Sequence, residues 1–245
     1  MRKIIFITGT DTGAGKTILI GLLLAHLRAK GVHALALKPF CAGSRSDAKL
    51  LFELQEREIS LDVVNPFYFK EPLAPLVAAR RTRQSISLDQ ALERIRTVQN
   101  RCEVLLVEGA GGLLVPLGER FVVADLITRL ECAVIVAARN KLGVINHALL
   151  TLCALRNISV TTVQIVLMGI AHPDLSFFSN EKIIQEYAAP WKISALPFLS
   201  GNLAEPGVIR NHSRKRKKLL ARLANIAIFH HTFSGDAEGK LVGDG

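Results

Sequence analysis

The sequence predicts an α/β fold: a three-layer sandwich in which helices cover both faces of a mainly parallel central sheet. Apolar runs rich in β-branched residues alternate along the chain with stretches of helical periodicity, and this alternation is typical of repeated strand–helix units. Most of the apolar runs are nearly continuous, as expected of parallel strands buried on both faces. With 245 residues, of which 49% are hydrophobic, the chain can bury a sizeable core.

Six segments are predicted to be strands, and we expect one domain to contain them all. They are residues 3–8, 34–38, 104–108, 133–137, 162–168 and 192–197. Helical spacing lies between them, for example from Leu88 to Ile95, where Ser87 is a candidate N-cap. Because no repeat or long linker interrupts the pattern, we expect a single domain over residues 1–233. Residues 234–245 are mostly small and polar, and we expect them to form a flexible tail.

The formal net charge of +10 raises the question of a nucleic-acid partner. The basic residues cluster in residues 214–218 and at Arg80, Arg81 and Arg83. Neither cluster is interleaved with the aromatic side chains on which single-stranded bases stack. Leucines that follow the first cluster favour the solvated face of one late helix instead, so we expect no nucleic-acid partner.

The sequence pattern disfavours a membrane or secreted protein. No run approaches the ~18 consecutive apolar residues of a membrane span, and the first residues lead into a predicted strand rather than into a signal peptide. The four cysteines, Cys41, Cys102, Cys132 and Cys153, are far apart and form no CxxC pair. We therefore expect a reduced, cytoplasmic protein without a membrane partner.

A glycine-rich loop between the first strand and the first helix carries the strongest functional signal. Residues 9–17 read Gly-Thr-Asp-Thr-Gly-Ala-Gly-Lys-Thr, with five residues, not the usual four, between Gly9 and Gly15. Amides of such a loop and the N-terminus of the next helix bind phosphate groups. Lys16 would neutralise the β- and γ-phosphates, and the Thr17 hydroxyl would bind Mg²⁺. The fold is therefore expected to be P-loop NTPase-like. The loop residues expected to bind a nucleoside triphosphate are Thr10, Asp11, Gly13, Ala14, Gly15, Lys16 and Thr17.

Charged residues follow two further strands, at the edge of the sheet where ligands of this fold class bind. Lys38 ends the second strand, either as a solvated charge or as a group aimed into the cleft, and its place beside the phosphate loop favours the cleft. Asp47 begins a helical pattern and can be the cap of that helix or a Mg²⁺ ligand. Glu108 ends the third strand, where it can be an acidic residue at a turn or a second Mg²⁺ ligand.

The glycines that follow Glu108 let the backbone approach a ligand closely. The residues of this segment expected to contact the nucleotide are Glu108, Gly109, Gly111 and Gly112. A magnesium ion completed by phosphate and water needs carboxylate and hydroxyl oxygens. The residues expected to hold it are Thr17, Asp47 and Glu108.

Taken together, these motifs resemble those of the ATP-dependent dethiobiotin synthetases. The resemblance rests on the lengthened phosphate loop, on Lys38-Pro39, on Ser46-Asp47-Ala48 and on the block Glu-Gly-Ala-Gly-Gly at residues 108–112. Further similar segments, in the order of that family, are residues 72–75, 115–117, 142–147 and 196–197. The resemblance covers roughly residues 3–200.

The resemblance implies one reaction, which belongs to biotin biosynthesis. In this family 7,8-diaminopelargonate and CO₂ form a carbamate, the carbamate attacks the γ-phosphorus of ATP, and the second amine displaces phosphate to close the ureido ring of dethiobiotin. ATP is then the co-substrate and Mg²⁺ the cofactor. The residues with implied catalytic roles are Lys16, Lys38 and Thr12, of which Lys38 would stabilise negative charge on the carbamate and the migrating phosphoryl group.

The resemblance also implies contacts further from the reacting groups. The residues expected to bind the diamine are Thr12, Lys38, Ala42, Gly143, Val144, Ile145 and Asn146. The last four would begin a helix of the partner subunit and bind the distant substrate carboxylate with their amides, which implies a homodimer. The residues expected at the nucleotide base are Met168 and Pro197.

Some positions depart from the family pattern. Gly13 stands where many relatives carry an acidic residue, and Ala42 where many carry a hydroxyl residue. Met168 and Gly169 stand where the asparagine that contacts adenine is expected. Because neither residue offers the paired side-chain donor and acceptor of an asparagine, the sequence predicts weak discrimination among nucleoside triphosphates.

Three other classes share parts of this pattern. Amidoligases related to the cobyrinic-acid and cobyric-acid synthases have the same fold, but they usually carry a glutaminase domain for which this chain has no room. Partitioning and septum-site ATPases require a lysine where Asp11 stands. A basic ATPase that binds nucleic acid is the third alternative, and the synthetase is favoured over all three.

Overall fold

Each of the six predicted strand segments forms a strand, and the six lie side by side in one parallel sheet. The computed structural model describes residues 3–226, so the predicted tail, residues 234–245, lies outside the described residues. Within residues 3–226 the strands are β1 (Lys3–Gly9), β2 (Ala34–Leu37), β3 (Phe40–Ala42), β4 (Phe67–Phe69), β5 (Val104–Glu108), β6 (Pro116–Gly118), β7 (Phe121–Val122), β8 (Ala133–Arg139), β9 (Val163–Met168) and β10 (Lys192–Leu196).

Helices alternate with these strands along the chain. In the same part of the chain they are α1 (Lys16–Ala29), α2 (Ser46–Leu54), α3 (Leu61–Val64), α4 (Pro75–Arg81), α5 (Leu88–Gln99), α6 (Val123–Leu130), α7 (Val144–Asn157), α8 (Phe177–Tyr187), α9 (Pro206–Lys215) and α10 (Lys217–Ala224). The predicted cap of α5 is confirmed, because the Ser87 hydroxyl accepts a hydrogen bond from the Gln90 amide and the Gln90 side chain accepts one from the Ser87 amide.

The central sheet has the order β10-β9-β8-β1-β5-β2, and each neighbouring pair is parallel. Six consecutive residues of β1 after Lys3 are buried. Since successive side chains of a strand point to opposite faces, both faces of the sheet are covered. The predicted α/β fold with a mainly parallel sheet is therefore confirmed. The register pairs Ile7 with Glu108 and Gly9 with Ala137, so the carboxyl ends of β1, β5 and β8 meet at one edge.

Two small sheets were absent from the sequence prediction. β3 pairs with β4 in parallel, and β6 pairs with β7 in antiparallel orientation. Each of these strands has two or three residues, which is too short for an alternating pattern to show in the sequence. β3 follows directly after Lys38-Pro39, and its pairing with β4 holds the chain on its path from β2 to α2.

A buried glutamine ties the edge strand to α2. Gln55, at the C-cap of α2, is fully buried; its side-chain oxygen accepts from the Ala36 amide at 3.0 Å, and its side-chain NH₂ donates to the Ala36 carbonyl at 3.3 Å. These bonds satisfy backbone groups on the edge of β2 that have no neighbouring strand in the sheet. They also hold the helix that carries Asp47 against the strand that precedes Lys38.

The basic residues 214–218 are helical, as predicted, but they lie on two helices rather than one. α9 ends at Lys215 and α10 begins at Lys217, with the break at Arg216. Leu220 and Leu223 lie on the buried side of α10, as the helical spacing predicted, and the lysines of the cluster are exposed. Within residues 3–226 no helix is both long and apolar enough to cross a bilayer.

Candidate active site

The phosphate loop joins the carboxyl end of β1 to the N-terminus of α1, as predicted. Gly15 is the N-cap of α1 and has a φ of +91°, a conformation that residues other than glycine rarely adopt. A Cβ atom at Gly15 would also lie 2.9 Å from Cε of Met168. The loop is therefore packed closely against the end of β9, where Met168 is the last residue.

Lys16 is buried beneath the loop rather than extended into solvent. Its Nζ donates to the Asp11 carbonyl oxygen at 2.9 Å, and the residue is 6% exposed. Burial lowers the pKa of Lys16 below its usual value, and the carboxylate of Glu108 acts in the opposite direction. The Asp11 carboxylate accepts from the Thr12 amide at 2.6 Å and so shapes the loop itself.

Lys38 lies between two carboxylates at the carboxyl ends of β2 and β5. Its Nζ donates to Oε1 of Glu108 at 2.5 Å and to Oδ2 of Asp47 at 2.8 Å. The residue is 8% exposed and Glu108 is 1% exposed. Burial opposes the charge of Lys38, but Glu108 and Asp47 outweigh it and hold the pKa of Lys38 above its usual value. Lys38 is therefore a buried cation aimed into the site and not a solvated strand-end charge.

The Asp47 side chain is directed at Lys38 and not at the N-terminus of its own helix. Arg45 is the N-cap residue of α2 and its side chain makes no capping bond, whereas the Ser44 hydroxyl accepts from the Ser46 amide at 3.0 Å. The Asp47 carboxylate contacts Lys38 instead. Asp47 therefore belongs to the charged cluster of the site.

The oxygens of the predicted magnesium site lie together. The Thr17 hydroxyl donates to Oε1 of Glu108 at 2.8 Å, and Oε2 of Glu108 is buried without a hydrogen-bond partner in the described residues. A buried carboxylate oxygen without a partner is costly. Residues 3–226 contain no cluster of three or more His, Cys, Asp or Glu side chains suited to a metal ion. Two carboxylates and a hydroxyl nonetheless fit Mg²⁺, which is usually held by one or two carboxylates together with phosphate and water.

Two adjoining clefts open around the phosphate loop. The first, here called the phosphate cleft, has a volume of about 370 Å³ and contains the charged cluster. The second, here called the base cleft, has a volume of about 280 Å³ and is mainly apolar. Gly13, Gly15, Ile18 and Leu203 line both clefts, so the two are continuous around the loop.

The predicted site residues distribute between the clefts and their surroundings. Those that line the phosphate cleft are Thr12, Gly13, Gly15, Lys16, Thr17, Lys38, Asp47, Glu108 and Gly111. Those that line the base cleft are Gly13, Ala14, Gly15, Met168 and Pro197.

Several predicted residues line neither cleft. Thr10 donates its amide to the Ala137 carbonyl and holds the loop to β8. Gly109 is buried, with its amide bonded to the carbonyl of Ile7. A Cβ atom at Gly112 would lie 3.3 Å from the Gly9 carbonyl oxygen, so Gly112 packs under the loop. The remaining two sets, Ala42 in β3 and the segment Gly143, Val144, Ile145 and Asn146 at the start of α7, lie away from both clefts within this chain.

Asn65 is a site residue that the sequence reasoning missed. Its side-chain NH₂ donates to the carbonyl oxygens of Lys38 at 2.9 Å and of Pro39 at 3.3 Å, and its side-chain oxygen accepts from Nε of Arg45 at 3.1 Å. The Val64 carbonyl accepts from the Lys38 amide at 2.9 Å. These bonds hold the backbone of Lys38, and the Asn65-Pro66 pair in the sequence signals a turn without revealing this role.

The segment after β10 was also missed. Leu203 and Ala204 line the phosphate cleft, and Phe198 lines the base cleft. Arg139, the last residue of β8, brings a cation to the base cleft. No local pattern in the sequence marks these residues, because they reach the site through the order of the strands.

Comparison with known proteins agrees with this geometry. The profile of a family described as an AAA domain matches residues 3–202. A curated ATP-dependent dethiobiotin synthetase BioD of Bacillus licheniformis is 37% identical over 200 residues, which are 79% of this chain and 85% of that protein. The BioD of an Anaeromyxobacter species is 36% identical over 226 residues, covering 90% of this chain and 96% of the relative. The BioD of Methanocaldococcus jannaschii is 41% identical over 157 residues, which are 62% of this chain and 73% of that protein.

Solved structures show the same fold at low identity. A pNOB8 ParA bound to nonspecific DNA is 11% identical with a TM-score of 0.55, over 96% of this chain and 100% of that one. The MinD cell division protein of Aquifex aeolicus is 16% identical with a TM-score of 0.54, over 87% of this chain and 96% of that one. At these identities the likeness concerns the fold alone. Because the curated synthetases match at 36–41% identity over most of their own length, the chain belongs to the ATP-dependent dethiobiotin synthetase family.

Proposed function

We propose that the phosphate cleft and the base cleft form the active site in which this synthetase closes the ureido ring of dethiobiotin. The observation that carries the proposal is the buried ammonium of Lys38, held by Glu108 and Asp47 in the same cleft as Lys16. Phosphoryl transfer needs neutralisation of charge and alignment of the reactants more than covalent catalysis. Two buried cations beside a phosphate loop are suited to both tasks.

Each buried lysine has a distinct role in the proposal. Lys16 and the amides of the phosphate loop bind the triphosphate of ATP. Lys38 stabilises the negative charge that develops when the carbamate oxygen of the substrate attacks the γ-phosphorus. Thr12, which lines the cleft next to Gly111, contacts the substrate where it meets the phosphate. The second amine of the diamine then displaces phosphate and closes the ring.

The metal-binding residues of the proposal are Thr17, Asp47 and Glu108. The support is the unpartnered Oε2 of Glu108 and the hydroxyl of Thr17 beside it. A bound Mg²⁺ ion neutralises the β- and γ-phosphate oxygens. Asp47 and Glu108 also accept hydrogen bonds from Lys38, so the same two carboxylates set the position of its ammonium group.

The direct test is an assay with purified protein. ADP formation should require both CO₂ and 7,8-diaminopelargonate, and mass spectrometry should identify dethiobiotin as the product. Omission of the diamine and the use of CO₂-depleted buffer are the controls. ADP formation at full rate without the diamine would contradict the proposal.

Removal of either carboxylate should weaken the binding and use of magnesium-bound ATP. In Glu108→Gln and in Asp47→Asn we expect the Mg²⁺ concentration for half-maximal activity to rise at least ~10-fold, since a contact to a charged group contributes about 1.5–3 kcal/mol. Magnesium titrations of steady-state activity measure it. Glu119→Gln is the matched control, because Glu119 is exposed and lines neither cleft. An unchanged magnesium profile in both site variants would remove these residues from the metal site.

Discrimination among nucleotide bases should be weak. The Met168 side chain packs on Gly15, and a Cβ atom at Gly169 would lie 2.4 Å from the Phe198 amide nitrogen, so neither position offers a side chain that reads the base edge. We expect kcat/KM for ATP, GTP and CTP to agree within ~100-fold, equivalent to about 2.7 kcal/mol. Parallel assays with the three triphosphates measure the ratio. A larger preference for ATP would show that backbone groups near Pro197 read adenine.

The homodimer of the proposal has support on the surface of α7 and α8. Leu142, Leu150, Leu175 and Phe178 are 78%, 61%, 92% and 79% exposed, and α7 packs against α8. Exposed apolar residues in one region mark interaction surfaces. Residues 143–146, at the start of α7, lie in this region. Their amides would bind the carboxylate of the substrate that occupies the partner subunit's site.

A further inference from the structure

A third cleft opens at the opposite end of α1 from the phosphate loop. Its volume is about 710 Å³, and it lies between the C-terminal half of α1, the turn that leads into β2, and helices α9 and α10. It shares no lining residue with the phosphate cleft or the base cleft. Ala25, the first residue of α1 that lines it, is ten positions after Gly15, so at about 1.5 Å per residue roughly 15 Å of helix separates the cleft from the phosphate loop. It is called the basic cleft below.

The basic cleft carries an excess of positive charge. Its charged lining residues are Arg28, Lys30, Glu56, Arg210, Arg214 and Lys217. Arg28 is paired with Glu58 at 2.8 Å and with Glu56 at 3.4 Å, and Arg210 lies 4.0 Å from Glu56. The other three cations of the lining form no ion pair within residues 3–226; they are Lys30, Arg214 and Lys217.

A buried histidine faces the same space. His26 is 5% exposed, lines the cleft and has no hydrogen-bond partner within the described part of the chain. Burial lowers the pKa of His26, and the nearby ammonium groups of Lys30 and Lys217 act in the same direction. Either form of an imidazole offers an N–H donor. Neither ring nitrogen of His26 is sealed from solvent within the described residues, so its N–H can donate to a ligand in the cleft.

The size and chemistry of the cleft select a class of ligand. A volume of this order suits a small molecule. None of the lining residues is Phe, Tyr or Trp, so the stacking surfaces of a site for single-stranded nucleic acid are lacking. Three unpaired cations match the charge of two linked phosphoryl groups.

We infer that the basic cleft is a binding site for a compact polyanion with at least two linked phosphoryl groups, held by Lys30, Lys217 and His26 and independent of the phosphate loop. The ammonium groups act as point charges on the phosphoryl oxygens, and His26 donates a hydrogen bond to one of them. Nothing in the synthetase reaction requires this second site.

The experiment titrates the full chain with inorganic pyrophosphate by calorimetry, without divalent metal. The Lys16→Gln substitution is included throughout to weaken binding at the phosphate loop. In that background, Lys30→Gln with Lys217→Gln should weaken pyrophosphate binding at least ~10-fold, because the substitutions remove two of the positive charges that attract the anion. The matched control is Lys70→Gln with Lys192→Gln, which removes two exposed lysines that line no cleft described here. The control should bind pyrophosphate within about twofold of its parent.

The imidazole of His26 supplies a second measurement. In the Lys16→Gln protein, pyrophosphate should raise the pKa of His26 in an NMR pH titration, because an anion favours the charged form. Equal affinity in the cleft variant and its parent would overturn the inference, as would an equal loss in the control variant or no binding at all. A short single-stranded oligonucleotide that displaces pyrophosphate more strongly than inorganic tripolyphosphate would assign the cleft to nucleic acid instead, and would also overturn it.

Discussion

Lys38→Gln should lower turnover by about 10²-fold or more, the effect of removing one preorganised group that stabilises charge in the transition state. Glutamine keeps much of the length and polarity of the side chain but carries no charge. Affinity for ATP should change much less, because Lys16 and the loop amides bind the triphosphate. Steady-state kinetics and nucleotide titration on the same variant separate the two effects. Normal turnover would show that Lys38 takes no part in the chemistry.

The same substitution should also destabilise the protein. Lys38 is buried, and so is the carboxylate of Glu108 that it contacts. Removal of Lys38 leaves the buried carboxylate of Glu108 without its cation, and breaking a buried ion pair in this way costs about 3–5 kcal/mol. Denaturant unfolding without nucleotide should show a loss of this order.

A double variant separates the electrostatic cost from a packing cost. Lys38→Gln with Glu108→Gln replaces both charges by amides of similar size, and removal of both partners is far less costly than removal of one. We expect most of the lost unfolding free energy to return while turnover stays low. A double variant as unstable as Lys38→Gln would mean that packing, not the unpaired carboxylate, causes the loss.

Lys16→Gln should weaken nucleotide binding and turnover together. Lys16 is expected to contact the β- and γ-phosphates, and two contacts to charged groups of about 1.5–3 kcal/mol each predict a loss of ATP affinity of ~10²-fold or more. Titration with a fluorescent ATP analogue and steady-state kinetics measure the two losses. Lys49→Gln is the control, because Lys49 is exposed on α2 and lines neither cleft.

The stability of Lys16→Gln should contrast with that of Lys38→Gln. Lys16 is a buried cation whose hydrogen bond goes to a carbonyl, not to a carboxylate, so glutamine leaves no unpaired charge behind. We expect an unfolding free energy within about 1 kcal/mol of the parent, the size of one ordinary hydrogen bond. A loss as large as that of Lys38→Gln would indicate that Lys16 has a structural role as well.

The sequence was sufficient for features that depend on short stretches of chain. The six strands of the central sheet show in the sequence because each is a nearly continuous apolar run between helical patterns. The phosphate loop shows because its glycines, Lys16 and Thr17 lie within nine consecutive residues, 9–17. The short strands β3, β4, β6 and β7 do not show, since two or three residues hold no period. The break at Arg216 does not show either, because no glycine or proline marks it.

The tertiary structure decided which charges meet and whether water reaches them. Lys38 and Glu108 are 70 positions apart, and they meet because β2 and β5 are neighbours whose carboxyl ends lie at one edge of the sheet. The choice between a capping Asp47 and a magnesium-binding Asp47 was open in the sequence, since both uses need the same residue at the start of a helix, and the contact of Asp47 with Lys38 shows only in the tertiary structure. The basic cleft depends on α9 and α10 returning to α1, where Ser213 donates to the Leu22 carbonyl 191 positions away. Burial and charge pairing of this kind arise from contacts between distant segments, which a local pattern does not encode.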